Sequence, residues 1–317
     1  MTAPMTTTDT AIRSHHTTAS AVAVVFPGQG SQRPQMARPW LDHPAAALWG
    51  QADQVLGRDV TRLGVDAEAD ELREPHNCQV ALFVHHAVLW SAWCEAGGTA
   101  AVTAGHSLGE YNALAAAGVL DFAAALRLVD ARARATQAAA QANPGGMVAC
   151  LGGEEAAITS LCAATGVHLA NDNAAGQVVV AGTDEALGQF MRRAAAVRAR
   201  PVRLEVGAAY HSPLMEPAVA GLDAAIATTT FADARIPVVA NVDGQVHTGA
   251  AEWPELLRAQ LLAPVRWRDC VRGLTELGVE EVVELGASPV LSGLVKRTQP
   301  ALRRRHVSAP DDLAVAL

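Results

Sequence analysis

The chain has 317 residues, half of them hydrophobic and 18% charged, with a formal net charge of −8. That composition supports a packed globular protein and excludes a disordered or fibrous one. The negative balance argues against nucleic acid as a general partner, and no run of about 18 uninterrupted apolar residues is present to cross a membrane.

Residues 1–20 are polar and lack the apolar core of a signal peptide, so they read as a mobile tail. The run from Ala21 to Phe26 is short and continuously apolar, as in a strand buried on both faces. Pro27 and Gly28 stop it. The Gly28-Gln29-Gly30-Ser31-Gln32 turn that follows fails as a dinucleotide fingerprint, because Arg33 stands where a third glycine is needed. It is either a plain tight turn or one that presents backbone N–H groups.

Helical patterns cover Ala45 to Leu56 and Gln79 to Trp93, and a second strand from Ala100 to Ala104 runs into Gly105-His106-Ser107-Leu108-Gly109. This alternation predicts an α/β fold with a parallel sheet. A helix begins near Asp121, with Phe122, Leu126, Val129 and Ala133 as its apolar stripe. Arg132 falls at the edge of that stripe, and Arg127, Asp130 and Arg134 fall opposite it.

From Gly146 to Val206 the order changes to strand, helix, strand, strand, helix, strand. That is the ferredoxin-like pattern of a small self-contained unit. The rest returns to α/β alternation, with strands near Pro237 to Asn241 and Glu281 to Leu285. The expected organisation is a large α/β domain over 21–142 and 207–317, with residues 143–206 as an inserted subdomain.

The Gly105 to Gly109 stretch matches G-x-S-x-G between a strand and a helix, the context of a nucleophile elbow. The glycines allow a sharp turn that lifts the Ser107 hydroxyl above the sheet. The Leu108 N–H, at the helix N-terminus, then points at an oxyanion forming there. Serine needs a base at neutral pH. Among the later histidines, His168, His247 and His306 read as surface or satisfied core residues. His211 sits in GAAYHSPLMEP, on a loop leaving a strand, where α/β sites are assembled. No acid stands out as a third member, so the reading is a Ser–His dyad. Arg132 is either half of a structural ion pair or a fork for a substrate carboxylate.

The five cysteines form no C-x-x-C pair, which argues against a disulfide framework or a zinc site and fits a reducing cytoplasm. Basic residues crowd two stretches: Arg192, Arg193, Arg198, Arg200 and Arg203, then Lys296, Arg297, Arg303, Arg304 and Arg305. Each is either a solvated face or a docking patch for an acidic partner.

From about Val22 to Arg297 the chain resembles the malonyl-CoA:acyl carrier protein transacylase family and its acyltransferase relatives in polyketide synthesis. The matching stretches are VFPGQGSQ, GHSLGEYNALAAAGVLDFAAALRLV, NDNAAGQVVVAG, YHSPLMEPA, AQLLAPVRW and ELGASPVLSGLVKR. The resemblance implies an α/β-hydrolase-like core with a ferredoxin-like insertion. It implies Ser107 as nucleophile, His211 as base, and the Leu108 and Gln29 N–H groups as oxyanion donors. Gln260 matches the position whose backbone carbonyl orients the histidine, and Arg132 matches the carboxylate-binding arginine. His106, Asn173 and Tyr210 fall on the substrate side, and Arg192, Arg193, Lys296 and Arg297 are candidates for contact with the carrier.

Two departures lie near the acyl pocket. The family's R-G-x-x-M-Q is here Arg132-Ala133-Arg134-Ala135-Thr136-Gln137, and Tyr210 stands where Phe or Ser is commoner. The expected substrates are malonyl-CoA or a related acyl-CoA and an acyl carrier protein, with no bound cofactor or metal. The rival expectations are an acyl-carrier thioesterase on the same dyad and a non-catalytic carrier-binding subunit.

Overall fold

The computed structural model describes residues 21–316; the tail expected over residues 1–20 lies outside them. Among the described residues ten strands form two sheets. They are β1 (Val22–Phe26), β2 (Val102–Gly105), β3 (Gly146–Gly152), β4 (His168–Ala174), β5 (Gln177–Gly182), β6 (Ala199–Arg203), β7 (Val238–Val239), β8 (Val246–His247), β9 (Glu281–Leu285) and β10 (Arg303–Val307). The large sheet has the order β10-β9-β1-β2-β7-β8. Its first five strands are parallel and β8 closes one edge antiparallel.

Eight helices matter for the site: α1 (Pro75–Glu95), α2 (Gly109–Ala116), α3 (Phe122–Ala142), α4 (Glu155–Thr165), α5 (Asp184–Arg193), α6 (Trp253–Leu262), α7 (Trp267–Glu276) and α8 (Leu291–Thr298). The strand period of two sorts the large sheet into two cores. Val24, Phe26, Val238 and Val283 face α1, α2 and α3. Ala23, Val25, Val239 and Val282 face Trp267, Cys270 and Val271 of α7 and Leu291 and Val295 of α8. Covering both faces explains why these strands are continuously apolar. Asp121 caps α3, its side chain accepting from the Ala124 N–H at 2.7 Å.

The smaller sheet runs β4-β5-β3-β6, antiparallel throughout. Val148, Cys150, Val178 and Val180 pack on α4 and α5. The alternate residues Met147, Ala149 and Val179 face the other way, into a cleft against the large sheet.

Two features depart from the sequence expectation. Strand β6 ends at Arg203, so Leu204 and Val206 are free to line the cleft. Arg303 to Arg305, grouped above as basic surface, belong to β10, an edge strand on β9. Charge on an edge strand blunts pairing with other chains. Arg305 pairs with Glu281, Arg303 approaches Glu280 and Glu281, and Arg203 pairs with Asp184, so three of the grouped arginines have acids beside them. Among the described residues no helix is long and apolar enough to cross a membrane.

His85 and His86 on α1 are fully buried, and neither ring nitrogen of His85 has a partner. Burial, with His86 and His306 nearby, holds His85 down at about 3. As pH falls below the unfolded value near 6.5, the unfolded chain takes up a proton that the folded chain refuses. Wild type should therefore lose about 1–2 kcal/mol more stability between pH 7 and pH 5 than His85→Leu. Urea melts at the two pH values check this; equal losses would contradict it.

Candidate active site

Phe26 of β1 pairs with Gly105 of β2, so the loops after both strands leave the same edge of the sheet. A Cβ at Gly105 would stand 1.9 Å from the Gly109 backbone, and one at Gly109 would stand 2.0 Å from the Phe26 carbonyl. Only glycine permits so tight a crossing. Ser107, between them, has φ 51°, a left-handed conformation that strains any residue with a Cβ. Asn241, just after β7, braces the turn. Its Nδ2 donates to the Gly105 carbonyl at 2.6 Å, and its Oδ1 accepts from the Ser107 N–H at 2.7 Å.

His211 lies on the loop after β6, also at positive φ (56°). Its Nε2 is 2.7 Å from Ser107 Oγ, and its Nδ1 is 2.8 Å from the Gln260 backbone carbonyl. That carbonyl is available for a local reason. Gln260 is in the last turn of α6, and the residue four positions on is Pro264, which has no N–H to return to it. The carbonyl takes the Nδ1 proton, leaving Nε2 as the acceptor for the serine hydroxyl. Burial and the Arg132 charge hold the His211 pKa down at about 3, so the imidazole is a neutral base throughout the physiological range.

Arg132 is buried, 1% exposed. Its Nη2 donates to Ser107 Oγ at 3.2 Å and reaches Gln260 Oε1 at 3.5 Å; its Nη1 donates to Gln79 Oε1. The guanidinium lies over the Tyr111 ring at 5.5 Å, and its Nε has no partner. No carboxylate pairs with it among the described residues. The acid expected on the far face of α3, Asp130, is instead buried against α1 and is occupied by His76, Arg134 and Arg58. The ion-pair reading of Arg132 therefore lacks its acid. A buried charge with no carboxylate in direct contact is costly; the nearest acid, Glu110, is reached only through the Gln260 amide, and the guanidinium lies beside Ser107 Oγ.

The cleft between the sheets has a volume of about 220 Å³ and exposes Ser107, His211, Gln29, His106 and Tyr210 on its floor. Among the described residues neither the Gln29 nor the Leu108 N–H donates a hydrogen bond. His106 Nε2 meets Asn173 Oδ1 at 2.8 Å, tying the elbow to β4. The Tyr210 hydroxyl is buried, with Gln29 and Thr136 beside it. Leu291 and Leu294, in the first half of α8, form one wall, and Lys296 and Arg297 are exposed further along the same helix. Arg192 and Arg193 are elsewhere. They end α5, on the face of the small sheet turned away from the cleft.

Three buried residues at the site were not singled out from the sequence: Asn241, Gln79 and Glu110. Each is polar and interrupts a run of small or apolar neighbours, which is the only local mark it carries. No cluster of His, Cys, Asp or Glu among the described residues is arranged to hold a metal ion.

A hydroxyl at a strained elbow, a neutral imidazole on it, and free N–H groups beside it are the parts of a serine acyl-transfer centre. The chain belongs to the acyl transferase domain family, whose model matches residues 23–309. It is 40% identical over 305 residues to the malonyl CoA-acyl carrier protein transacylase of Salmonella typhimurium, covering 93% of this chain and 98% of that one. It is 37% identical to the enzyme of the same name from Bacillus subtilis, covering 94% and 96%. Among solved structures, a malonyl-transacylase in complex with a holo acyl-carrier protein of a type II polyketide synthase superposes with TM-score 0.91 at 36% identity, covering 94% of this chain and 99% of that one. The acyl carrier protein S-malonyltransferase of Vibrio cholerae gives 0.90 at 36% identity, covering 94% and 100%.

The depressed His211 pKa sets a pH dependence. The rate at which a fluorophosphonate modifies Ser107 should stay flat from pH 8 down to about 5. A decline centred near 6.5, the ordinary histidine value, would contradict the buried neutral base.

Proposed function

We propose that this chain transfers a malonyl group from coenzyme A to the phosphopantetheine thiol of an acyl carrier protein by a two-step serine ester mechanism. The observation that carries the reading is Arg132, a buried cation with no carboxylate in direct contact, 3.2 Å from the nucleophilic oxygen. A malonyl carboxylate supplies the missing charge and places the thioester carbon at Ser107.

In the first half-reaction Ser107 Oγ bonds to the thioester carbon while its proton passes to His211 Nε2. The resulting oxyanion is held by the Gln29 and Leu108 N–H groups. The C–S bond then breaks, and coenzyme A leaves as a thiol with the proton from the imidazolium. In the second half His211 takes the proton of the carrier thiol, whose sulfur attacks the serine ester. The C–O bond breaks and the proton returns to Ser107. His106, Asn173 and Tyr210 border the cleft along the substrate path.

The fold supports a finer description: an α/β-hydrolase-like core over 21–142 and 207–317, with a ferredoxin-like subdomain over 143–206. The carrier docks at Lys296 and Arg297, because their helix also walls the cleft. Arg192 and Arg193 are outlying, with the small sheet between them and the cleft. Five free thiols among the described residues fit a cytoplasmic site of action. Arg132 also weighs against the thioesterase reading, since an uncharged acyl chain has no use for its charge.

Arg132→Ala should lower malonyl loading of Ser107 by about two orders of magnitude and leave acetyl loading within a few-fold, read by intact-protein mass after brief mixing with each acyl-CoA. Equal loss of both would make Arg132 a structural group. Lys296→Glu with Arg297→Glu should slow discharge to the carrier and spare loading from coenzyme A. The Arg192→Glu, Arg193→Glu pair should do less, and the reverse order would relocate the docking face.

A further inference from the structure

We propose that Glu110 is a positioning residue that holds the nucleophile and the base of the acyl-transfer site in register through Asn241 and Gln260. The inference rests on the reading above for its substrate but not for its geometry. Glu110 is the second residue of α2 and is 1% exposed. A glutamate at the start of a helix ordinarily faces water. Here both its oxygens are used: Oε1 accepts from the Asn241 backbone N–H at 2.7 Å, and Oε2 accepts from Gln260 Nε2 at 2.5 Å.

Each partner holds a different half of the site. The Asn241 side chain clamps the Gly105 carbonyl and the Ser107 N–H, so the backbone bond from Glu110 anchors the brace of the strained elbow. The Gln260 amide donates from Nε2 to the Ser107 carbonyl at 2.9 Å as well as to Glu110, and turns Oε1 to Arg132. The other amide orientation would set an oxygen against two acceptors and an NH₂ against a guanidinium. The carboxylate and the arginine together therefore fix the side chain of the residue whose carbonyl holds the Nδ1 proton of His211. One buried carboxylate thus connects the loops after β2 and β7 with the end of α6.

The charged and titratable groups facing Glu110 are Arg132, Asp243, Tyr111 and Cys270. Burial pushes its own pKa up to about 8, against the lowering pull of the Asn241 and Gln260 donors and of Arg132, and with both oxygens accepting the hydrogen-bond pattern is that of the carboxylate. That makes hydrogen-bond geometry, rather than charge alone, the property to perturb.

Glu110→Gln keeps the size but presents an NH₂ to either Asn241 N–H or Gln260 NH₂, two donors face to face. Three readouts test it. In wild type, nitrogen NMR of ring-labelled histidine should report His211 as a single Nδ1–H tautomer, and in Glu110→Gln as a mixture. Fluorophosphonate modification of Ser107 should slow about tenfold or more. Turnover with malonyl-CoA should fall by a similar factor with KM unchanged. A single tautomer with Ser107 reactivity within twofold of wild type would overturn the proposal, even if the melting temperature fell. Because the tautomer and the fluorophosphonate rate involve no acyl-CoA, they stand or fall separately from the malonyl assignment. Glu110→Asp keeps the carboxylate but shortens its reach by one methylene. If the glutamine variant does not fold, the aspartate variant should show the same changes, and unchanged reactivity there would equally overturn the proposal.

Discussion

The site depends on a backbone that would not hold its shape alone. Ser107 and His211 both have left-handed φ without being glycine, and each such residue carries strain of about 1–3 kcal/mol. The strain is held where three parallel strands end together. The β1 loop brings Gln29, the β2 loop brings Ser107 and the β7 loop brings Asn241. The central position of β1, with β2 on one side and β9 on the other, is where an open parallel sheet leaves a crevice. Packing Gly109 against the Phe26 carbonyl and Gly105 against Gly109 turns that crevice into an elbow, and the Asn241 side chain keeps it bent.

Electrostatics then divide the labour between two buried groups. His211 is kept neutral by burial and by the positive charge of Arg132, so it is ready to accept a proton. Arg132 is left with uncharged partners, Gln79, Gln260 and Ser107, so its charge is available to an incoming carboxylate. One guanidinium thus depresses the His211 pKa and, on the proposed reading, receives the substrate carboxylate. The absence of an acid behind His211 fits this arrangement. A carboxylate at the Gln260 carbonyl would raise the histidine pKa and compete for Arg132.

Much of this was legible in the sequence because it rests on local chemistry. The G-x-S-x-G turn between a strand and a helix located Ser107, and the apolar run of β1 marked a strand buried on both faces. The β-α-β-β-α-β order placed the second sheet, and Asp121 marked the start of α3. What was not legible depends on contacts distant in the chain. Asn241 and Glu110 act across more than a hundred residues, and the small or apolar neighbours they interrupt do not reveal the partners that bury them. The strand β10 was hidden because its Arg-Arg-Arg run reads as solvent surface, although Glu281 on the adjacent strand pairs with Arg305. Asp130 was assigned to the wet face of α3, but packing of α1 there buries it. Pro264 is a different case. It was visible all along, and only the helix geometry explains how it frees the Gln260 carbonyl.

The central claim is that an ester on Ser107 is passed to a thiol and not to water. The most direct measurement loads the protein with malonyl-CoA, removes free coenzyme A, and follows the acyl-enzyme by intact mass with and without holo acyl carrier protein. The account predicts an adduct that persists in buffer and disappears on adding the carrier, with the malonyl mass appearing on the carrier. An adduct lost at the same rate with or without the carrier, and never found on it, would contradict the account and make the chain a hydrolase.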